Sequence, residues 1–470
     1  MLLTKKDMSV NANCSILERT AYGGGNVGNS LAYYGITTFF LFYCTNYMDL
    51  NAGIIGTIFL ITKFLDGVSD FIMGSILDRT KAKMGKGRVW ILRGSIPYAI
   101  ATILLFCIPT GPSDTVKYIY VFVMYNMVNT VFYTCVTLSY NTLNCLMTKN
   151  QYERGILGIF NMFGTVAGQT IANTFTMTLV EKFGGTKAAW TAAFAVYAIA
   201  GMLLQWICVK GVTERVTIAN RRNSSDSLSQ STEKKIPVFE SVKAILHNKY
   251  WIMFTATYIL VMTWSGLYYS SVIYYATSVL GDADYQVLLN NPVTIGQLIL
   301  LLLSFAIIKK YGKAKTFNIG VIIMLIAMVG QMIVGDTLFA QIVLNIVKGC
   351  GLGIASSVVA GMCSDTVEYG EWKTGIRTEG LAFGAMSMAS KIGNGIGAAA
   401  MGWLLVWGGY DGNASIQSAS TIMAIKSAYL YIPFVLCALM VVIMYFYKLD
   451  KEYPRIAREL EERHSVFMEK

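Results

Sequence analysis

Histidine is nearly absent from this chain. Only His247 and His464 occur in 470 residues, and both lie in polar stretches. That argues against a histidine-based metal centre or proton relay at bilayer depth. Charge is scarce as well: Asp, Glu, Lys and Arg make up 14% of the residues, against about 25% in an ordinary soluble protein. The nine cysteines include no CxxC pair, and Cys107, Cys208 and Cys437 sit inside apolar stretches. They read as small core residues, not as a disulfide framework or a metal site. No nucleophile–histidine or metal-ligand constellation falls within the apolar stretches, and no soluble domain is appended, which speaks against an enzyme or a receptor. Gly23-Gly-Gly25 is followed by no helix-opening Lys-Ser/Thr, so it is not a phosphate loop. The N-terminus shows no charged–apolar–cleavage pattern, so the first span is expected to act as its own insertion signal.

Apolar residues, in contrast, are abundant: 54% of the chain is hydrophobic and the mean hydropathy is +0.51. Apolar runs of about 20 residues recur from end to end, long enough to cross a bilayer as helices. The expected fold is all-α, a polytopic membrane protein. Twelve spans are predicted, near 26–48, 51–77, 89–109, 116–138, 155–180, 187–209, 250–275, 288–309, 313–334, 337–362, 380–406 and 425–447. The net charge of +11 points to no nucleic acid, because the basic residues gather in alternate loops. Arg79, Lys81, Lys83, Lys86 and Arg88 follow span 2, and Lys309, Lys310, Lys313 and Lys315 follow span 8. Loops near Asp49, Asp114, Asp282, Asp284 and Asp336 are short and acidic or neutral. This bias, with an even span count, places both termini in the cytoplasm.

The polar stretch 210–249, with its Ser-rich run 223–232, cannot bury a core and reads as a flexible cytoplasmic linker. It separates an N-terminal six-helix half (1–209) from a C-terminal half (250–447), and a tail (448–470) of alternating charge reads as a solvated or surface-lying helix. Two parallel six-span halves around a midplane site are the arrangement of major facilitator superfamily transporters.

Near the middle of span 2, Asp66 and Asp70 stand four residues apart in Lys63-Phe-Leu-Asp66-Gly-Val-Ser69-Asp70. The spacing sets both on one helix face, about 6 Å apart along the axis. Ionisable groups at bilayer depth cost roughly 2.5 kcal/mol or more each. Two carboxylates with the Ser69 hydroxyl beside them offer hard oxygen ligands for Na+, or a site for a proton. The bland alternative is an ion pair with Lys63 or Lys391 that only locks helices. Lys391 lies about 16 Å into span 11, too deep for easy snorkelling. It is expected to alternate between carboxylate pairing and substrate contact. Asn26, Asn29, Ser30, Tyr33, Asn126, Tyr133, Thr137, Asn141 and Asn161 form a hydroxyl- and amide-rich set. As a group these side chains suit a sugar or polyol, and singly each also serves as interhelical hydrogen-bonding glue. Trp264 and Tyr268, one turn apart, offer a stacking surface. The run from Asp78 and Arg79 to Arg88 reads as a cytoplasmic hinge brace, with plain positive-inside topology as its alternative. Asp365, Glu368, Glu371, Arg377 and Glu379 read as salt-bridge partners between the halves in the outward-facing state.

Four stretches carry a resemblance. They are Tyr22-Gly-Gly-Gly-Asn-Val-Gly28; Asp66-Gly-Val-Ser-Asp-Phe-Ile-Met-Gly74; Arg79-Thr-Lys-Ala-Lys-Met-Gly-Lys-Gly-Arg-Val-Trp90; and Asp365-Thr-Val-Glu-Tyr-Gly-Glu371, leading to Lys391. In order and spacing the chain resembles the glycoside–pentoside–hexuronide:cation symporter family, that of melibiose permease. The resemblance implies that Asp66 and Asp70 are the cation-binding carboxylates, that Thr134 adds a hydroxyl, and that Lys63 precedes the site by a turn. It implies that Lys391 couples cation to sugar. Departures fall at the sugar: Ser30 and Thr137 replace two aspartates, Asn141 a stacking tryptophan, and Asn161 an arginine. They speak against an α-galactoside.

The expected function is a symporter importing a sugar, glycoside, pentoside or hexuronide with Na+, Li+ or H+. It is expected to work as a monomer in the plasma membrane, with no cofactor beyond that cation. A carrier for lipid-like or other amphipathic solutes is the alternative.

Overall fold

A computed structural model describes residues 9, 11, 13–217, 243, 245–376, 378–414 and 416–468. The twelve expected spans appear as long helices: α1 (Ile16–Asn46), α2 (Ala52–Arg79), α3 (Lys86–Leu105), α4 (Asp114–Met147), α5 (Gln151–Lys182), α6 (Lys187–Gly211), α7 (Lys249–Ser278), α8 (Tyr285–Tyr311), α9 (Lys313–Val334), α10 (Leu338–Thr374), α11 (Glu379–Gly408) and α12 (Ala419–Tyr445). A further helix, α13 (Leu449–Met468), forms the tail. Eight of the twelve have the length and apolarity to cross a membrane. The other four, α1, α7, α8 and α11, are 27 to 31 residues long. This is the all-α polytopic fold that the apolar runs predict. The chain divides into two compact units, 1–231 with 411–413, and 232–410 with 414–470. Most of the predicted 210–249 linker, including 223–232, lies outside the described residues.

Local chemistry sets the helix starts. Ser15 and Glu18 form a capping box at α1, Ser15 Oγ accepting from the Glu18 N–H at 3.3 Å and Glu18 Oε2 from the Ser15 N–H at 3.0 Å. Asn51, Asn150 and Asn248 cap α2, α5 and α7 more simply, each side-chain oxygen accepting from one or two backbone N–H groups of the first turn. α1 begins well before the expected residue 26 because ion pairs satisfy its polar first turns. Arg19 makes a two-pronged bond to buried Glu153, at 2.7 and 2.9 Å. Glu18 is clasped by Arg215 at 2.8 and 3.0 Å. Both Glu214 and Arg215 are buried. The first residues assigned by composition to a linker are thus part of the first unit, where Glu214 accepts the Lys86 and Arg88 N–H groups at the start of α3.

Close helix approach needs small residues. A Cβ on Gly28 would collide with the Gly201 carbonyl oxygen, and one on Gly201 with that of Gly28, so α1 and α6 touch backbone to backbone. In the second unit Gly349 of α10 meets the Val293 carbonyl of α8 in the same manner. The tail, expected as a solvated or surface-lying helix, is docked on the second unit. Tyr453 donates to Glu368 (2.6 Å), Tyr250 to Glu452 (2.8 Å) and Trp372 to Glu459 (2.6 Å), while Asp450 accepts the Ala314 N–H at 2.7 Å. Ile456 and Leu460 are buried beneath these bonds.

Candidate functional site

Asp66 sits on the buried face of α2, 4% exposed. Its Oδ2 accepts from Lys63 Nζ at 3.2 Å, one turn earlier on the same helix. Its Oδ1 accepts from Thr130 Oγ1 at 2.5 Å, and that hydroxyl also contacts Asn126 Oδ1 at 3.3 Å. Ser69 Oγ donates to the Thr130 carbonyl. All these α4 atoms lie on or beside a π-helical turn, Met127–Tyr133, within an otherwise α-helical span. A π turn re-registers the side chains that follow it, and such turns recur at functional sites. Here the turn aims the Thr130 hydroxyl and carbonyl at α2. Asp70 is half-buried, one turn beyond Asp66. Thr134, the hydroxyl that the resemblance assigns to this site, is buried one turn after Thr130. The hydroxyl that reaches Asp66 belongs to Thr130, which sequence reasoning missed.

Lys63 Nζ also lies 5.7 Å from the centroid of the Tyr33 ring, and Tyr33 stacks on Tyr133 at 4.4 Å. The amine therefore has a carboxylate and an aromatic face within reach at once. Beside this cluster the amide-rich residues pair off within the first unit. Asn29 and Thr137 bond at 3.0 Å. Asn26 Nδ2 donates to Asn161 at 2.8 Å (carbonyl) and 2.5 Å (Oδ1), and Asn161 donates to Tyr22 OH at 3.3 Å. Ser30 is buried where α1 meets Gly168 of α5. Asn141 is exposed, and Tyr133, Thr137 and Asn141 share one face of α4 at intervals of four.

In the second unit, Lys391 is half-buried near the middle of α11. Asp365 and Glu368, expected as partners between the halves, are engaged inside this unit: Asp365 binds Lys313 at 2.6 and 2.8 Å, and Glu368 binds Tyr453. Arg79 is exposed at the end of α2; the side chain of Asp78, the side chain of Glu379 and the whole of Arg377 lie outside the described residues. Trp264 and Tyr268 are fully buried and stack on each other at 5.3 Å, so neither presents an open ring face.

A buried lysine in the second unit escaped sequence reasoning. Lys348 of α10 is 0% exposed. Among the described residues its ammonium meets no carboxylate. It lies 4.4 and 4.8 Å from the ring centroids of Tyr268 and Tyr429, and donates to Gln331 Oε1 at 3.4 Å. Gln331 in turn donates to Gln341 and Asn345, and Asn345 to Tyr429. Tyr429 comes from a second π-helical stretch, Ser427–Tyr431 in α12. The available signal was the spacing Gln341, Asn345, Lys348, a polar stripe on one face of an apolar helix.

The family model described as "MFS/sugar transport protein" matches residues 21–451. The isoprimeverose transporter of Lactiplantibacillus pentosus is 30% identical, over 95% of this chain and 92% of its own length. The glucuronide carrier protein homolog of Escherichia coli is 28% identical over 95% of each. The inner membrane symporter YicJ of Escherichia coli is 27% identical over 89% of this chain and 88% of its own. Among solved structures, a bacterial homolog of the human lysosomal transporter Spinster, inward-facing and unoccupied, superposes with a TM-score of 0.67. It shares 13% identity and covers 94% of this chain and 99% of its own. The nucleoside transporter NupG gives 0.57 at 13% identity, over 93% and 100%. At that identity these structures speak to the fold alone, while the matched model and the relatives decide the family: the chain belongs to the MFS/sugar transport protein family, of the glycoside–pentoside–hexuronide symporter type, and is a multi-pass membrane transporter, not an enzyme.

Proposed function

We propose that this protein is a cation-coupled sugar symporter of the plasma membrane, with both termini in the cytoplasm and Asp66 as its central cation ligand. The observation that carries the reading is the buried Asp66 carboxylate, held by a tethered ammonium and a hydroxyl from a π turn. A small cation entering from water competes with Lys63 for Asp66. Asp70, Ser69, Thr130 and Thr134 supply further oxygens nearby on α2 and α4. The displaced ammonium has the Tyr33 ring face to rest on, and Tyr33 is stacked on Tyr133. That links cation occupancy to the α4 face of Tyr133, Thr137 and Asn141, where, with Asn29 and Asn161, the sugar hydroxyls find neutral donors and acceptors. Lys391 answers from α11 when the cation arrives, and Asp78, Arg79, Asp365, Glu368 and Arg377 brace the ends of the spans through the cycle. The relatives named for isoprimeverose and for glucuronides support a glycoside as cargo.

Uptake into proteoliposomes tests this with a labelled panel of hexoses, pentoses, hexuronates and disaccharides under Na+, Li+ and pH gradients. One sugar should accumulate under one gradient, and Asp66→Cys should abolish the stimulation. Accumulation by Asp66→Cys equal to wild type, under the same gradient, would sink the assignment.

A further inference from the structure

Beside the cation cluster, on the far side of Thr130 and Ser69, a groove of about 610 Å³ runs between α2, α3 and α4. Its volume falls within the roughly 300–1,000 Å³ of small-ligand sites, and apart from Ser69, Arg93, Asn126 and Thr130 its lining is apolar. Along α2 the wall extends from Leu65 through Ile72 to Ile76, about 16 Å of helix. All three side chains are exposed, at 40%, 54% and 40%. The groove is thus long, narrow and open along its side, the shape of a hydrocarbon chain. A sugar would leave its hydroxyls unpaired against these walls.

One end of the groove carries a charge. Arg93 lines it from the second turn of α3, exposed, and among the described residues has no hydrogen-bond or ion-pair partner. α2 and α3 are antiparallel neighbours tied by a bond from Trp90 Nε1 to Thr80 Oγ1 at 2.8 Å, so Arg93 lies toward the turn that also bears Arg79, Lys81, Lys83 and Lys86. A guanidinium with no partner among the described residues, this far along a membrane helix, is costly without a counter-anion. Its planar fork suits a phosphate diester. A phospholipid has this order of groups: phosphate at the interface, chain directed inward. The surrounding basic turn selects the anionic headgroups over the zwitterionic ones.

We propose that this groove is a binding site for one anionic phospholipid, its phosphate on Arg93 and an acyl chain lying against Ile72 and Ile76 toward Thr130. The lipid is a bound component of the transporter, not its cargo. Since Thr130 and Ser69 line the groove, Thr130 donates to Asp66 and Ser69 holds the Thr130 carbonyl, the chain packs directly beside the cation cluster.

Native mass spectrometry of the full-length protein, released from nanodiscs containing phosphatidylglycerol and phosphatidylethanolamine, reads this without any transport assay. It therefore stands apart from the symport reading. Two variants on different helices test the two halves of the site: Arg93→Gln removes the charge, and Ile72→Trp fills the groove. Retained phosphatidylglycerol should fall about fivefold in Arg93→Gln and at least as much in Ile72→Trp, with phosphatidylethanolamine unchanged in both. Retention equal to wild type in both variants would overturn the site. So would loss of both lipids alike, which marks a non-selective annulus. Loss in Arg93→Gln with full retention in Ile72→Trp would reduce the site to a headgroup contact, and the groove proposal would fall.

Discussion

Each unit holds a buried charged side chain well inside an apolar span, Asp66 in the first and Lys348 in the second, and the two solve the problem in opposite ways. In the first unit the Asp66 carboxylate is neutralised by another charge, Lys63, with a Thr130 hydroxyl completing the shell. In the second, Lys348 is surrounded by two tyrosine faces and an amide oxygen. A charge neutralised by a charge can exchange its partner, since another cation can take the place of Lys63. A charge held by ring quadrupoles and amides has nothing comparable to exchange. Both depend on a π-helical stretch, Met127–Tyr133 for Thr130 and Ser427–Tyr431 for Tyr429. The irregular backbone supplies directed contacts in each case, but only the first arrangement has the properties of a switch. Lys348 reads as a fixed architectural charge that holds α7, α9, α10 and α12 together through Tyr268, Gln331 and Tyr429.

The largest expected effect breaks the first arrangement. Asp66→Asn removes the charge that both Lys63 and the cation need, so gradient-driven accumulation should fall by about 100-fold or more, of the order seen when a group made for the coupled step is lost. Uptake at matched internal and external cation separates this from simple loss of sugar binding. The second test inverts the other arrangement. Lys348→Glu places a carboxylate against ring faces and should cost roughly 3–5 kcal/mol of stability, as an uncompensated buried charge does. Lys348→Met, close in volume, should be within about 1.5 kcal/mol of wild type. Thermal unfolding in one detergent reads both. If Lys348→Met retains its fold but loses coupled transport, Lys348 is no mere brace, and the contrast between the units collapses.

A milder change sharpens the switch itself. Lys63→Met removes the tethered competitor for Asp66, so the apparent cation affinity should rise roughly tenfold, about 1.4 kcal/mol. The sugar's dependence on the cation should weaken in parallel, because linkage is reciprocal. Cation titration of sugar binding by calorimetry measures both. An unchanged affinity would place the cation somewhere other than Asp66.

The sequence pattern carries the fold almost completely, because long apolar runs and the alternation of basic loops are one-dimensional signals of bilayer depth and side. It also exposes Asp66, since a carboxylate in an apolar run is conspicuous. What it does not carry is partnership. Thr130 and Thr134 are one turn apart and equally plausible from spacing, and only the π turn decides that Thr130 reaches Asp66. Lys348 is equally conspicuous as a lysine within an apolar run, yet its meaning depends on Tyr268, Gln331 and Tyr429, each contributed by a different helix. Glu214 and the tail acids look solvated by composition. Their partners, at the starts of α3, α7 and α9 and the end of α10, are distant in sequence and leave no trace in local periodicity.

The tail gives the smallest effect and tests the same distinction at the surface. Asp450 is a charge accommodated by a backbone N–H, that of Ala314. Burial pushes its carboxyl above the ordinary value of 3.8, with the Ala314 N–H and Lys313 opposing the shift. The docked state therefore holds the Asp450 proton more tightly than the undocked one. This contribution to docking is fully present below the ordinary value and is lost as the pH rises through the raised one. Because the group is half-exposed, the contribution should not exceed about 1 kcal/mol. Hydrogen exchange of the α13 amides, corrected for intrinsic rates, should show protection that grows as the pH falls through that window in wild type, with a flatter response in Asp450→Asn. A parallel response in the two proteins would mean that the Asp450 proton does not govern the docking, and that its carboxyl only fills the gap beside Gly312.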